Sequence, residues 1–160
     1  QASHPRRRRY RLRREGLLST MIREARVNYV PSCLEMTRIK GPPDAAEFVR
    51  NVLTDNSREH FVALYLNSVH EIIAYSIVSI GTANSALASP REVFQRAVMT
   101  GAISIIVAHN HPSGDTVPSS EDRAVTRRLR DAGKILAIPI LDHIIVTAKS
   151  FLSLKEDECW

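Results

Sequence analysis

Residues 103–122 read ISIIVAHNHPSGDTVPSSED and contain the features that determine the fold class. Residues 103–108 form a short apolar run, which is typical of a strand buried on both faces of a sheet. The loop 110–118, with its turn-forming proline and glycine residues, follows this strand. A helix is expected to begin at about Ser119 and to extend to about residue 132. The stretch therefore predicts a buried strand whose end lies close to the beginning of a helix.

Helices and strands intermix on both sides of this stretch. Asp44 is placed to cap a helix with an apolar face, and Ser89 followed by Pro90 is a second helix start. Gly101 and Gly133 are predicted to end the second and third helices. The other predicted strands are 61–66, 72–80, 134–140 and 143–148, and the first two of these form a hairpin through a turn at 67–71. This pattern predicts an α/β or α+β fold with a mixed β-sheet and helices packed against it.

The chain has 160 residues, which is enough for one ordinary domain with a sizeable core. Hydrophobic residues make up 44% and charged residues 24%, which argues against a wholly disordered, collagen-like or disulfide-stapled protein. Apolar spacing within 17–25 predicts a short helix. Gly41, Pro42 and Pro43 then interrupt the chain. We therefore predict a basic arm and N-terminal extension at 1–40 and a single domain at 41–160.

The formal net charge of +5 comes from the basic arm. Seven of the 22 basic residues are arginines between Arg6 and Arg14, which leaves 15 basic and 17 acidic residues in the rest of the chain. Such an arm can make weak, salt-sensitive contacts with nucleic-acid phosphates, although most charged tails are simply solvated. The excess positive charge is thus expected on the arm and not on the folded domain.

Cysteine usage and hydropathy bear on the cellular compartment. Cys33 and Cys159 are far apart and have neither zinc-ribbon nor disulfide-framework spacing, which favours a reducing compartment. The longest stretch without charged residues, 72–90, contains many polar side chains and is interpreted as strand and loop rather than a membrane span. No secretory signal is recognised. We expect a cytoplasmic protein that does not contact a membrane.

His109 and His111 lie two residues apart at the end of the buried strand. Residues at this spacing point to the same side of an extended chain, so both imidazoles can face one point while Asn110 faces away. Asp122, in the first turn of the next helix, can bring a carboxylate to the same point. Two imidazoles and one carboxylate leave a zinc ion with one position for water, which is typical of catalytic sites. We predict one Zn²⁺ per chain, although Ser119 and Asp122 also form an ordinary capping pattern.

The same residues resemble a known family. His109, His111, Ser119 and Asp122 match the JAMM motif of MPN+ metalloproteases, and the whole string 109–122 is similar to the bacterial RadC family. Further similarity occurs at 59–61, 81–82, 89–94 and 141–145, so the resemblance covers the chain from about Gly41 onward. It implies a JAMM/MPN+ (cytidine-deaminase-like) fold, a mixed β-sheet sandwiched by helices. It also implies zinc-dependent cleavage of peptide or isopeptide bonds, whereas the RadC name carries an association with DNA repair.

The resemblance also implies roles for individual residues. Glu59 occupies the position of the JAMM general base at the head of an early strand; from the residues alone it would be interpreted as a solvated side chain. Ser119 is expected to stabilise the oxyanion formed during attack on a carbonyl. His143 is interpreted as a spare ligand or as a residue that contacts a ligand, but a structural hydrogen-bonding role is favoured.

Three functions are compatible with the sequence. The first is a zinc-dependent metallopeptidase or isopeptidase that acts on a protein or peptide substrate. The second is a DNA-repair-associated metal-dependent nuclease or DNA-binding accessory protein, since activated water also attacks phosphodiesters. The third is a non-catalytic interaction module that keeps the metal for stability. A base together with an open water position weighs against the third function, because an inert module needs neither. A site for a single ion and a slightly acidic domain weigh against the nuclease, so the first function is preferred.

Overall fold

The computed structural model describes residues 28–30, 32, 34, 37–81, 88–157 and 160. The stretch Pro31–Trp160 forms one compact unit. The basic arm, the predicted helix within 17–25 and both cysteines lie outside the described residues. None of the helices that are described is long and apolar enough to cross a membrane.

The described elements confirm a mixed α and β fold. They are α1 (Pro42–Val52), β1 (His60–Leu66), β2 (Ile72–Ile80), α2 (Pro90–Thr100), β3 (Ser104–Asn110), α3 (Ser120–Leu136), β4 (Ile140–Val146) and β5 (Phe151–Ser153). The strands form one sheet with the order β2-β1-β3-β4-β5. β3 and β4 are parallel, whereas the other neighbouring strands are antiparallel, so the predicted mixed sheet is confirmed.

Helices cover both faces of this sheet. On one face, Phe48 of α1 belongs to a buried cluster with Leu64 of β1. On the other face, Phe94 of α2 and Leu129 of α3 share a second buried cluster with Tyr65. β1 contributes to both clusters because successive strand residues point to opposite faces. Burial of each large apolar side chain contributes about 1.5–3 kcal/mol to folding, so both helical layers are held firmly on the sheet.

The two central strands determine where the functional residues meet. Every residue of β1 and β3 is buried, which confirms the strand predicted within 103–108. β1 and β2 form the predicted antiparallel hairpin. Phe61, near the beginning of β1, pairs with His109, near the end of β3. The residue before β1 and the histidines at the end of β3 therefore lie at the same end of these two neighbouring strands.

The starts of α1 and α2 show how proline and capping residues act together. Ser89 and Glu92 form a capping box at α2, and Gly101 ends that helix with a φ of 70°, so both predicted ends are confirmed. The prediction that Asp44 caps α1 is wrong: the helix begins at Pro42, with Gly41 as its N-cap. Proline has no N–H to leave unpaired and its φ suits the first helical turn. Asp44 instead accepts a hydrogen bond of 2.7 Å from the backbone N–H of Lys40.

Gly133 lies inside α3 and does not end it, so the predicted strand 134–140 is wrong. The helix continues to Leu136, and Ala137 ends it in the left-handed conformation with a φ of 55°. The glycine is required for a close approach: a Cβ atom at this position would lie 2.7 Å from the carbonyl oxygen of Ile138. β4 consequently begins at Ile140, and the short strand β5 was not predicted.

Candidate metal centre

The two histidines of the motif face one another at the end of β3. His109 lies within the strand and is completely buried, whereas His111 follows the strand and is partly exposed. Their Nε2 atoms are 2.9 Å apart, so the structure brings both rings together as the spacing predicts. The Nδ1 atom of His111 lies 2.8 Å from the backbone oxygen of Asp115. Because a carbonyl only accepts, Nδ1 of His111 carries a proton, so the neutral form of this ring presents its lone pair at Nε2.

Asp122 reaches the histidines from the first turn of α3. The side chain of Ser119 accepts a hydrogen bond from the backbone N–H of Asp122. In return, the backbone N–H and the hydroxyl of Ser119 each donate a hydrogen bond of 2.7 Å to Oδ2 of Asp122. The other oxygen, Oδ1, is buried and has no hydrogen-bond partner among the described residues. It lies 3.2 Å from Nε2 of His109. The capping box therefore holds one oxygen and leaves the other for a different partner.

The distances within this group fit a small divalent cation. Nε2 of His109 lies 2.9 Å from Nε2 of His111 and 3.2 Å from Oδ1 of Asp122. Nε2 of His111 lies 3.7 Å from Oδ2 of Asp122. Ligand atoms bound tetrahedrally at 2.0–2.1 Å are separated by about 3.3 Å, close to the middle of this range. A cation would also provide the missing partner of the buried Oδ1 atom, so these three residues fit a metal.

The electrostatics of the group also favour a cation. Burial lowers the pKa of His109 to about 4, so its ring is neutral at physiological pH. Interaction with the Asp122 carboxylate raises the pKa of His111 despite its partial burial. Burial opposes the ionisation of Asp122, but interactions with His111, His109 and Ser119 outweigh burial and hold the pKa of this carboxyl well below its usual range. An ionised carboxylate therefore lies beside a neutral imidazole.

Glu59 adds a second carboxylate to the group. It directly precedes β1, and its backbone oxygen accepts a hydrogen bond of 2.8 Å from the N–H of Gly81. One side-chain oxygen of Glu59 and the ligand atoms of His109, His111 and Asp122 all lie within 4.8 Å of one another. Burial, followed by the charge of Asp122, raises the pKa of Glu59. A carboxyl group with a raised pKa is suited to accept and return a proton.

Comparison with known proteins identifies the family of the chain. A family model described as the RadC-like JAB domain matches residues 39–159. The chain belongs to the RadC family. It is 51% identical over 118 residues to a UPF0758 protein of Shouchella clausii, and the match covers 74% of this chain and 51% of the relative. A UPF0758 protein of Geobacillus kaustophilus is 45% identical over 124 residues, which cover 78% of this chain and 55% of the relative. The chain thus spans about half the length of these curated relatives.

In the RadC-like domain, Asn110 connects strand β3, which carries His109, to the segment around Glu59. Its side chain is buried, and its two hydrogen bonds go to the segment before β1 and not to the two histidines. Oδ1 accepts a hydrogen bond of 2.7 Å from the backbone N–H of His60, and Nδ2 donates one of 2.9 Å to the backbone oxygen of Arg58. Asn110 therefore binds the peptide chain on both sides of Glu59. The sequence contained one signal of this role, because a polar side chain within a fully buried strand requires partners.

In the RadC-like domain, His143 contacts the Nδ1 atom of His109, whereas His111 and Asp122 lie next to the Nε2 atom of the same ring. Its Nε2 is 2.8 Å from Nδ1 of His109. Its partners are side chains of the domain, and it does not belong to the group of ligand atoms around Glu59. The contacts agree with a hydrogen-bonding role for this residue and not with that of a spare ligand.

Proposed function

We propose that this RadC-like domain is a zinc-dependent hydrolase that cleaves peptide or isopeptide bonds of a protein or peptide substrate in the cytoplasm. The supporting observation is the convergence of His109, His111 and Asp122 beside the Glu59 carboxylate. Two imidazoles and one carboxylate suit zinc, and they are the residues that would hold it. When bound there, zinc would supply Lewis acidity and lower the pKa of a water molecule at its open position.

Glu59 performs the proton transfers in this proposal. Its carboxylate accepts a proton from the attacking water, and the resulting carboxylic acid gives that proton to the leaving nitrogen. The raised pKa of Glu59 suits both steps, since the group must bind and release a proton near neutral pH. The backbone contacts made by Asn110 and Gly81 support the role, because they hold the peptide unit that carries this side chain.

Ser119 is the proposed donor to the oxyanion. Its hydroxyl hydrogen is directed to Oδ2 of Asp122 in the structure, so this role requires the hydroxyl to rotate toward the substrate. Asp122 would retain the hydrogen bond from the backbone N–H of Ser119 during that rotation. Loss of one such donor costs on the order of a hundredfold in rate.

The test compares turnover by wild-type protein, Glu59→Gln and Glu47→Gln, each loaded with zinc. Glutamine keeps the size of Glu59 but cannot accept the proton, so the rate on an isopeptide-linked peptide conjugate should fall by about 10²–10⁴-fold. Glu47 is exposed on α1, and its substitution should leave the rate unchanged.

The same three proteins are assayed on branched and nicked DNA. Cleavage of DNA alone, with the same dependence on Glu59, would replace the proposed peptidase by a nuclease. Bound zinc without turnover of either substrate would favour an interaction module and count against hydrolysis.

A further inference from the structure

A line of buried hydrogen bonds runs from the backbone of Asp122 to the ring of His109. The hydroxyl of Thr126 lies 2.6 Å from the backbone oxygen of Asp122 and 2.6 Å from Nδ1 of His143. Nε2 of His143 lies 2.8 Å from Nδ1 of His109. Thr126 is 1% exposed and both histidines are completely buried, so no solvent competes for these contacts.

The direction of each hydrogen bond follows from its partners. A backbone oxygen has no proton, so the Thr126 hydroxyl must donate to Asp122. A hydroxyl has only one proton, so Nδ1–H of His143 must donate to Thr126. A neutral imidazole has one N–H, which makes Nε2 of His143 an acceptor for Nδ1–H of His109. Nε2 of His109 therefore has no proton and presents a lone pair.

The reverse direction is unfavourable on two counts. A Thr126 hydroxyl that donated to His143 would leave two oxygen atoms 2.6 Å apart with no proton between them. A second proton on His143 would place a charge in a completely buried ring, which is unfavourable because the charge would lose its contact with water. Both considerations leave the same proton arrangement.

We infer that Thr126 and His143 are positioning residues that fix the tautomer of His109, so that its Nε2 is ready to bind the metal. This inference rests on the metal centre of the proposed function but not on hydrolysis. His111 has its tautomer fixed by the backbone oxygen of Asp115. His109, which is buried inside the sheet, uses a second imidazole for the same purpose. Since Thr126 lies one turn after Asp122 on α3, the line also connects two of the ligands.

Two matched substitutions at Thr126 test the inference. Thr126→Val removes the hydroxyl and keeps the shape, whereas Thr126→Ser keeps the hydroxyl. His143→Phe removes both ring hydrogen bonds and keeps an aromatic ring against Phe61, which contacts His143 edge-on. The readout is the affinity for Zn²⁺ alone, measured by competition with a chromophoric chelator. Loss of an outer partner of a metal-binding histidine weakens binding by about 10–100-fold. We expect that loss for Thr126→Val and His143→Phe, and affinity near wild type for Thr126→Ser.

A second measurement reports the tautomer directly, without metal or turnover. Nitrogen-15 chemical shifts of the His109 ring should show a protonated Nδ1 in wild type and Thr126→Ser, and a mixture of tautomers in Thr126→Val. Wild-type zinc affinity in both Thr126→Val and His143→Phe would overturn the inference. A protonated Nε2 of His109 in the metal-free wild type, or no zinc binding by the wild type, would also overturn it. Zinc binding that follows the expected order without any turnover would support the inference and refute only the proposed hydrolysis.

Discussion

Replacing Asn110 with alanine should separate Glu59 from strand β3 while leaving His109, His111 and Asp122 in place. The side chain of Asn110 binds the backbone of Arg58 and His60, on either side of Glu59, and neither hydrogen bond involves His109 or His111. The catalytic rate and the zinc affinity should therefore respond differently to this substitution. Ser119 offers no such separation, because its hydroxyl contacts Asp122 directly.

The magnitude follows from the hydrogen bonds that are lost. The N–H of His60 would lose its 2.7 Å partner, and an unpaired buried N–H costs about 1–3 kcal/mol. The oxygen of Arg58 would lose the 2.9 Å bond from Asn110 but keep a contact of 2.9 Å with Nδ1 of the His60 ring, so its loss is smaller. We expect the free energy of unfolding to fall by about 2–3 kcal/mol. A displacement of Glu59 by about 1 Å would lower kcat about 100-fold.

Asn67→Ala is the matched control. Asn67 also uses a side-chain amide to hold a backbone turn, through hydrogen bonds from the N–H groups of Val69 and Glu71, but it lies after the other end of β1. This variant should lose stability and keep kcat. Denaturant unfolding, zinc competition and peptide-conjugate turnover are measured on both variants and wild type. A wild-type kcat in Asn110→Ala, or equal losses of kcat in the two variants, would refute the positioning of Glu59 by Asn110.

Three further predictions concern protonation and the end of α3. Zinc binding must displace the proton of the cationic form of His111, and the pKa of this residue is raised. The zinc affinity, measured by chelator competition between about pH 5 and 8, should therefore fall about tenfold per pH unit below that pKa. A flat profile would contradict the assignment of His111 as a ligand. Gly133→Ala should lower the free energy of unfolding by about 1–3 kcal/mol in denaturant unfolding, because the new Cβ would lie 2.7 Å from the backbone oxygen of Ile138. An increase in stability would contradict this prediction and show that the chain shifts easily there. Ala137→Gly should stabilise the domain by up to about 1 kcal/mol in the same assay, since glycine adopts the left-handed φ of 55° without strain; a loss of stability would contradict this.

Local patterns in the sequence were sufficient to predict the convergence of the His109, His111 and Asp122 side chains. The alternation of a strand places His109 and His111 on one side, and the capping pattern places Asp122 in the first turn of α3. Both rules depend on residues close together in the chain, so they needed no knowledge of the complete fold. The role of Ser119 in the capping box was predictable for the same reason.

Other features depend on contacts between distant segments. Gly133 is predicted from the sequence to end a helix, but glycine is required there because the backbone of Ile138 packs closely against the helix. The partners of Asn110 lie about fifty residues earlier in the chain. His143 meets His109 only because β4 lies parallel to β3. The sequence shows that such polar residues need partners without showing which partners they find.

The central claim is that His109, His111 and Asp122 bind one metal ion, and the amount of zinc bound per chain tests it most directly. Wild-type protein, His111→Ala and His70→Asn are equilibrated with Zn²⁺, freed of unbound metal and analysed for zinc and protein. His111 is partly exposed, so its replacement should leave the fold intact, and His70 is an exposed histidine in the β1–β2 turn. We predict one zinc per chain for wild type and His70→Asn and a large loss for His111→Ala. Equal zinc in all three proteins, or none in wild type, would contradict the claim.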